Sequence, residues 1–250
     1  MTGLVCLGGG RVRRSWAAGV AGEWCHDGHV RDLARFDHHL REWAAAVCTE
    51  HGGPPVDADW FEAVHRRLPP GLRVTLGQAL ADDVITTVDG WGFSLAGVDE
   101  QRAPFRWFQW DDAHGVPVPN WKYFVQVAEY ARLRAAAYGT ELSVAFEDQL
   151  SPRRVVAIAL FEGDALVWSL EVCEKVMTAG RLSRAVAEVG KTGVPDEPDA
   201  GDEAADIAHH LAENRPPFVS FLGIGGRFDW STVFHDQHHF DLHADVVPYG

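Results

Sequence analysis

Between residues 29 and 50 apolar side chains recur every three or four positions, with Val30, Leu33, Ala34, Phe36, Leu40, Trp43 and Val47 on one side. That spacing predicts an amphipathic helix, ended by Gly52-Gly53-Pro54-Pro55. A shorter helix follows with Trp60, Phe61, Val64 and Leu68 as its apolar side, Asp57 or Asp59 as its cap and Pro69-Pro70-Gly71 as its stop. Residues 84–98 mix β-branched and aromatic residues around Asp89-Gly90, the composition of a hairpin. Residues 106–110 extend that sheet, and the Pro/Gly stretch 111–120 breaks it. A long helix is predicted from Trp121 to about Ala137, with Phe124, Val127, Ala128, Ala131 and Leu133 on its apolar side and Gly139 as its stop.

Beyond residue 140 the period shortens. Strand-like runs occupy 141–147, 154–161 and 165–172, the last two joined by the tight turn Glu162-Gly163-Asp164. Residues 179–189 read as a helix and 190–203 as a mobile acidic loop rich in Pro and Gly. A helix over about 204–214 and a strand over 218–224 follow. Near the C-terminus His239, Asp241, His243 and Asp245 alternate with Phe240, Leu242 and Ala244, which predicts a strand with one polar face. The expected fold is α+β: a helical N-terminal part with a central mixed sheet flanked by helices. It is divided into a helical and hairpin part over 1–118 and an α/β core over 119–250.

Composition narrows the classes. The longest uninterrupted apolar run, Val155 to Phe161, is far short of the roughly 20 residues of a membrane span, so no membrane partner is expected. The basic residues Arg11, Arg13 and Arg14 follow the first apolar patch instead of preceding it, the wrong order for a secretory signal. Cys6, Cys25, Cys48 and Cys173 form no CxxC pair and read as reduced thiols, which makes the expected location cytoplasmic. The formal charge is −14, and residues 191–250 hold 3 basic against 11 acidic residues. Such a surface repels phosphate backbones outside a local cleft and suits a basic protein partner.

The remaining clusters carry less. Gly8-Gly9-Gly10 and the run from Gly223 to Gly226 lack the order of nucleotide-binding loops and read as turns. Cys25-His26-Asp27-Gly28-His29, with His38-His39 beyond it, lacks a second paired ligand motif and reads as a loop leading into a helix. Nothing local marks Cys25 or Cys173 as a nucleophile. Trp107, Trp110 and Trp121 read as core.

The chemistry-bearing residues cluster in two places. One is the third strand, Leu170-Glu171-Val172-Cys173-Glu174-Lys175, in which alternation puts Glu171, Cys173 and Lys175 on one face. Together with the order helix, three strands, helix and strand over 121–224, this resembles the core of the PD-(D/E)XK nuclease-like superfamily. The resemblance implies an Asp on the second strand and a Glu-x-Lys on the third. Cys173 stands where the family has its Lys, and Arg153-Arg154 open the second strand where the Asp belongs. A migrated site would use Asp148 or Asp164 as second carboxylate, Lys175 displaced by two residues, and Glu129 from the preceding helix. The carboxylates would hold Mg²⁺ or Mn²⁺, and Lys175 would position water against the phosphodiester of a nucleic acid bound in a local cleft.

The second place is the C-terminus, where His235, His239, Asp241, His243 and Asp245 offer nitrogen and oxygen ligands suited to Zn²⁺, Fe²⁺ or Mn²⁺. Three functions are therefore carried forward. The first is a nuclease-like domain with an altered metal site. The second is a non-enzymatic acidic protein of immunity or inhibitor type that covers a basic partner. The third is a metalloenzyme built on the His/Asp strand.

Overall fold

A computed structural model describes residues 26–99, 102–151 and 154–248, and the side chains of 28–99, 102–150 and 154–248. Cys6, Gly8-Gly9-Gly10, Cys25, Arg153 and the side chains of His26 and Asp27 lie outside these described residues. The architecture is α+β, and the chain falls into two units.

The N-terminal unit holds α1 (His26–Glu50), α2 (Ala58–Arg67), α3 (Pro70–Ala81), β1 (Ile85–Val88), β2 (Gly92–Leu95), β3 (Phe105–Arg106), β4 (Phe108–Asp111), β5 (Val116–Pro119) and α4 (Trp121–Ala137). Helix α1 buries Phe36, Leu40, Trp43 and Val47, the stripe its spacing predicts. Asp57 caps α2 by accepting the Trp60 N–H at 2.9 Å. The Pro69-Pro70 pair ends α2, but it also opens α3, a helix the sequence reading misses. Proline at the first helical position gives up no hydrogen bond and has its φ preset. Helix α3 lies so near α1 that a Cβ on Gly77 would stand 2.0 Å from the Asp32 carbonyl oxygen.

Strands β1 and β2 form the expected hairpin, with Asp89 (φ 49) and Gly90 (φ 78) in the left-handed region at its turn. The expected extension divides: β3 joins β2, whereas β4 pairs with β5 in a separate ribbon. The presumed break at 116–119 is thus a strand, and its prolines are tolerated because the ribbon has only two strands. Trp107 is the centre of the unit's core, stacked 4.0 Å from Phe93, 4.8 Å from Phe124 and 5.0 Å from Trp43. Because α4 contributes Phe124 to this stack, the division between units falls near residue 140 instead of at 118.

The C-terminal unit is built on β6 (Leu142–Ser151), β7 (Arg154–Glu162), β8 (Ala165–Lys175), α5 (Val176–Thr192), α6 (Glu203–Asn214), β9 (Phe218–Ile224), β10 (Gly226–Phe234) and β11 (Phe240–Ala244). Residues 144–146 of β6 group with the N-terminal unit. The sheet order is β11-β10-β9-β8-β7-β6. Strands β7 and β8, β9 and β10, and β10 and β11 pair antiparallel, while β8 and β9 run parallel. A parallel pair needs a crossover, which α5 and α6 supply. One face of the sheet presents Cys173, Val219, Phe221, Phe240 and Leu242 to Ala179, Val186, Ile207, Ala208 and Leu211 of those helices. The segment after α5 is fastened at its start, where the Val194 N–H donates to the His238 carbonyl at 2.7 Å.

Candidate functional site

Glu171 sits in the middle of β8, 5% exposed, with both carboxylate oxygens engaged by one guanidinium. Arg154, at the start of β7, donates from Nη2 to Oε2 at 2.7 Å and from Nε to Oε1 at 3.2 Å. This is the planar fork that matches a carboxylate best. His210 reaches the same neighbourhood from α6. It is 1% exposed, its Nδ1 lies 3.1 Å from the Asn214 amide nitrogen, and its Nε2 has no hydrogen-bond partner. Burial, with the nearby charges of Arg154 and His209, pushes its pKa down to about 4. The imidazole is therefore neutral at pH 7, and the cluster consists of one matched ion pair and a neutral ring.

Of the other residues proposed for a migrated nuclease site, Lys175, Asp164 and Asp148 stand elsewhere in the C-terminal unit. Val172 pairs with Leu222, but the next matched pair is Lys175 with Ile224, so β8 carries one residue more than β9. This bulge reverses the alternation, placing exposed Lys175 on the face of Val172 and away from that of Glu171. Asp164 is exposed in the turn before β8, seven residues or roughly 20 Å from Glu171 at strand rise. Half-buried Asp148 lies on β6, two strands and about 10 Å from β8 across the sheet. Glu129 belongs to the N-terminal unit, where Arg132 holds it through contacts of 2.6 and 3.0 Å. Two oxygens held by a guanidinium, with no group of three His, Cys, Asp or Glu around them among the described residues, do not fit a Mg²⁺ or Mn²⁺ ligand set.

The C-terminal strand forms as predicted from residue 240, with Phe240 and Leu242 buried and His243 exposed. Its proposed ligands divide among separate partners. His235 Nε2 meets Asp241 Oδ2 at 2.9 Å, and this bond holds the Asp241 carboxyl below its ordinary pKa. His239 Nδ1 turns to Asp236, 3.0 Å from each oxygen. Asp236 also accepts the His238 and His239 N–H groups, and its pKa is lowered, chiefly by the first of these. Asp245 accepts the Val246 N–H at 2.7 Å. Among the described residues no three His, Cys, Asp or Glu side chains are grouped so as to hold a metal ion. Cys48 and Cys173 are both buried.

The sequence reading misses a second buried polar network on the same sheet. Trp168 Nε1 donates to Ser220 Oγ at 2.9 Å, and Ser220 Oγ donates to Asp229 Oδ1 at 2.6 Å. Arg227 Nε donates to Asp229 Oδ2 at 2.8 Å. Ser220 and Asp229 are direct partners across β9 and β10, and the Arg227 guanidinium lies 5.3 Å over the Trp168 ring. The available signal was the i, i+2 spacing of Arg227 and Asp229 among Phe228 and Trp230, which puts two opposite charges on one strand face.

No family model, curated protein or solved structure matches the chain. Among the described residues no helix is long and apolar enough to cross a membrane.

Proposed function

We propose that this chain is a non-enzymatic acidic binding protein, of immunity or inhibitor type, that covers a basic protein partner. Its core follows the element order of the PD-(D/E)XK nuclease-like superfamily. The observation that carries this reading is the buried fork between Arg154 and Glu171. It supplies at the carboxylate the positive charge that a divalent cation would otherwise bring, and it leaves neither oxygen open toward a substrate. Within the C-terminal unit the order β6, β7, β8, α5, β9, with α6 added before β9, supports the likeness to the strand part of the nuclease core. The −14 charge and the exposed Asp196, Glu197, Asp199, Asp202 and Glu203 support a basic partner. A metalloenzyme centred on the C-terminal strand has less support, since its His and Asp side chains are spent on separate pairs.

The test is cleavage of supercoiled DNA, single-stranded DNA and RNA in Mg²⁺ or Mn²⁺ by the wild type and by Glu171→Ala. The expected result is no cleavage above buffer with metal, identical for both proteins. Metal-dependent cleavage that Glu171→Ala loses would overturn the proposal and establish a nuclease with a rearranged site.

A further inference from the structure

In this acidic chain, helices α1, α2 and α3 gather cations around a single carboxylate. Asp37 and Arg41 stand one turn apart on α1, as Phe61 and His65 do on α2. The Arg41 guanidinium lies 5.4 Å over the Phe61 ring, and His65 Nε2 lies 3.1 Å from Asp37 Oδ1. From α3, Arg73 Nη1 reaches both Asp37 oxygens at 3.1 and 3.3 Å. The Arg73 guanidinium and the His65 imidazole thus meet one carboxylate, with Arg41 one turn away on the same helix, so Arg41 and Arg73 against Asp37 leave an excess positive charge even with His65 neutral.

Two of its nitrogens are left over. Arg73 Nε and His65 Nε2 are both buried without a hydrogen-bond partner, the His65 contact with Asp37 missing hydrogen-bond geometry. Buried nitrogens of this kind ordinarily meet an acceptor, and here the surrounding charge calls for a negative one. The cluster opens to solvent through exposed Arg41 and through the Asp37 and His65 side chains, 23% and 25% exposed.

We infer that Arg41, His65 and Arg73 form a binding site for a phosphate-type oxyanion, which enters beside Asp37 and takes the unused Arg73 and His65 nitrogens. The excess positive charge and the several N–H donors suit the multiple oxygens of a phosphate-type anion. The charged groups facing His65 are Asp37 and Arg41 from α1 and Arg73 from α3. Burial chiefly lowers its pKa, Asp37 opposes this, and Arg73 and Arg41 reinforce it. A bound anion adds attraction for the imidazolium, and by reciprocity protonation of His65 tightens the anion.

The test follows the His65 ring proton by NMR through a pH titration in inorganic phosphate, with sodium chloride and sodium acetate at matched ionic strength. Phosphate is expected to raise the His65 pKa by about half a unit or more in a saturable manner, while chloride and acetate leave it in place. Arg41→Gln, at an exposed position that spares the fold, is expected to weaken phosphate binding about tenfold, and Arg73→Gln to abolish it. A His65 titration unchanged by phosphate, or moved equally by chloride or acetate, overturns the assignment. So does undiminished phosphate affinity in Arg41→Gln.

Discussion

His210 shows how one buried ring ties stability to pH. Its pKa is about 4 in the folded chain against an ordinary 6.5, so between those values the unfolded chain binds a proton that the folded chain refuses. Stability is then unaffected by His210 above pH 6.5 and falls by about 1.4 kcal/mol for each pH unit below it, until the folded-state pKa is reached. Urea unfolding should show the wild type losing about 2–3 kcal/mol more than His210→Leu between pH 7 and 4.5. Equal losses would mean that the ring is solvated in the folded chain. A histidine inside an apolar helix face, as in Ala208-His209-His210-Leu211, is visible in the sequence. Its neighbour Arg154 is not, because β7 and α6 meet only through the fold.

At the scale of elements, regular periods were readable and interrupted ones were not. Helices α1, α2 and α4 and strands β1, β2, β7, β8 and β9 appear close to where spacing and turn residues put them. Helix α3 was hidden because the prolines that stop one helix also start another. Strand β10 was hidden because two charged residues on one face look like a solvated segment, whereas Arg227 and Asp229 neutralise each other out of solvent. The contact between α1 and α3 carries the sharpest expectation here. With backbone, not a flexible side chain, 2.0 Å from the site of a new Cβ, Gly77→Ala cannot be absorbed by a rotamer change and must separate the helices. Alanine's better helix propensity offsets at most about 1 kcal/mol of that. A net loss of about 1–3 kcal/mol in chemical denaturation is expected, and a stabilised variant would contradict the close approach.

For the whole molecule, the large negative net charge bears on association. A formal charge of −14 and an isoelectric point near 5.3 set copies of the chain against one another at neutral pH. Light scattering across pH 4 to 8 should find the greatest self-association close to the isoelectric point and a monodisperse solution at pH 7.5. The candidate site was only partly readable at this scale. The sequence presents Glu171 as a candidate ligand and Arg154 as a basic residue where an Asp belongs, and their pairing depends on a strand register that no local pattern displays. The face of Lys175 is hidden for a related reason, a single extra residue in β8 relative to β9.

That extra residue behaves like a frameshift in a message read two letters at a time. Everything up to Val172 is read in one phase and everything from Lys175 in the other, so identical chemistry on either side of Cys173-Glu174 is delivered to opposite faces. A substitution in this stretch changes one letter, while an insertion or deletion of one residue would exchange the two phases. The spacing between Glu171 and Lys175 therefore decides which face each side chain reaches, more than the identity of either residue.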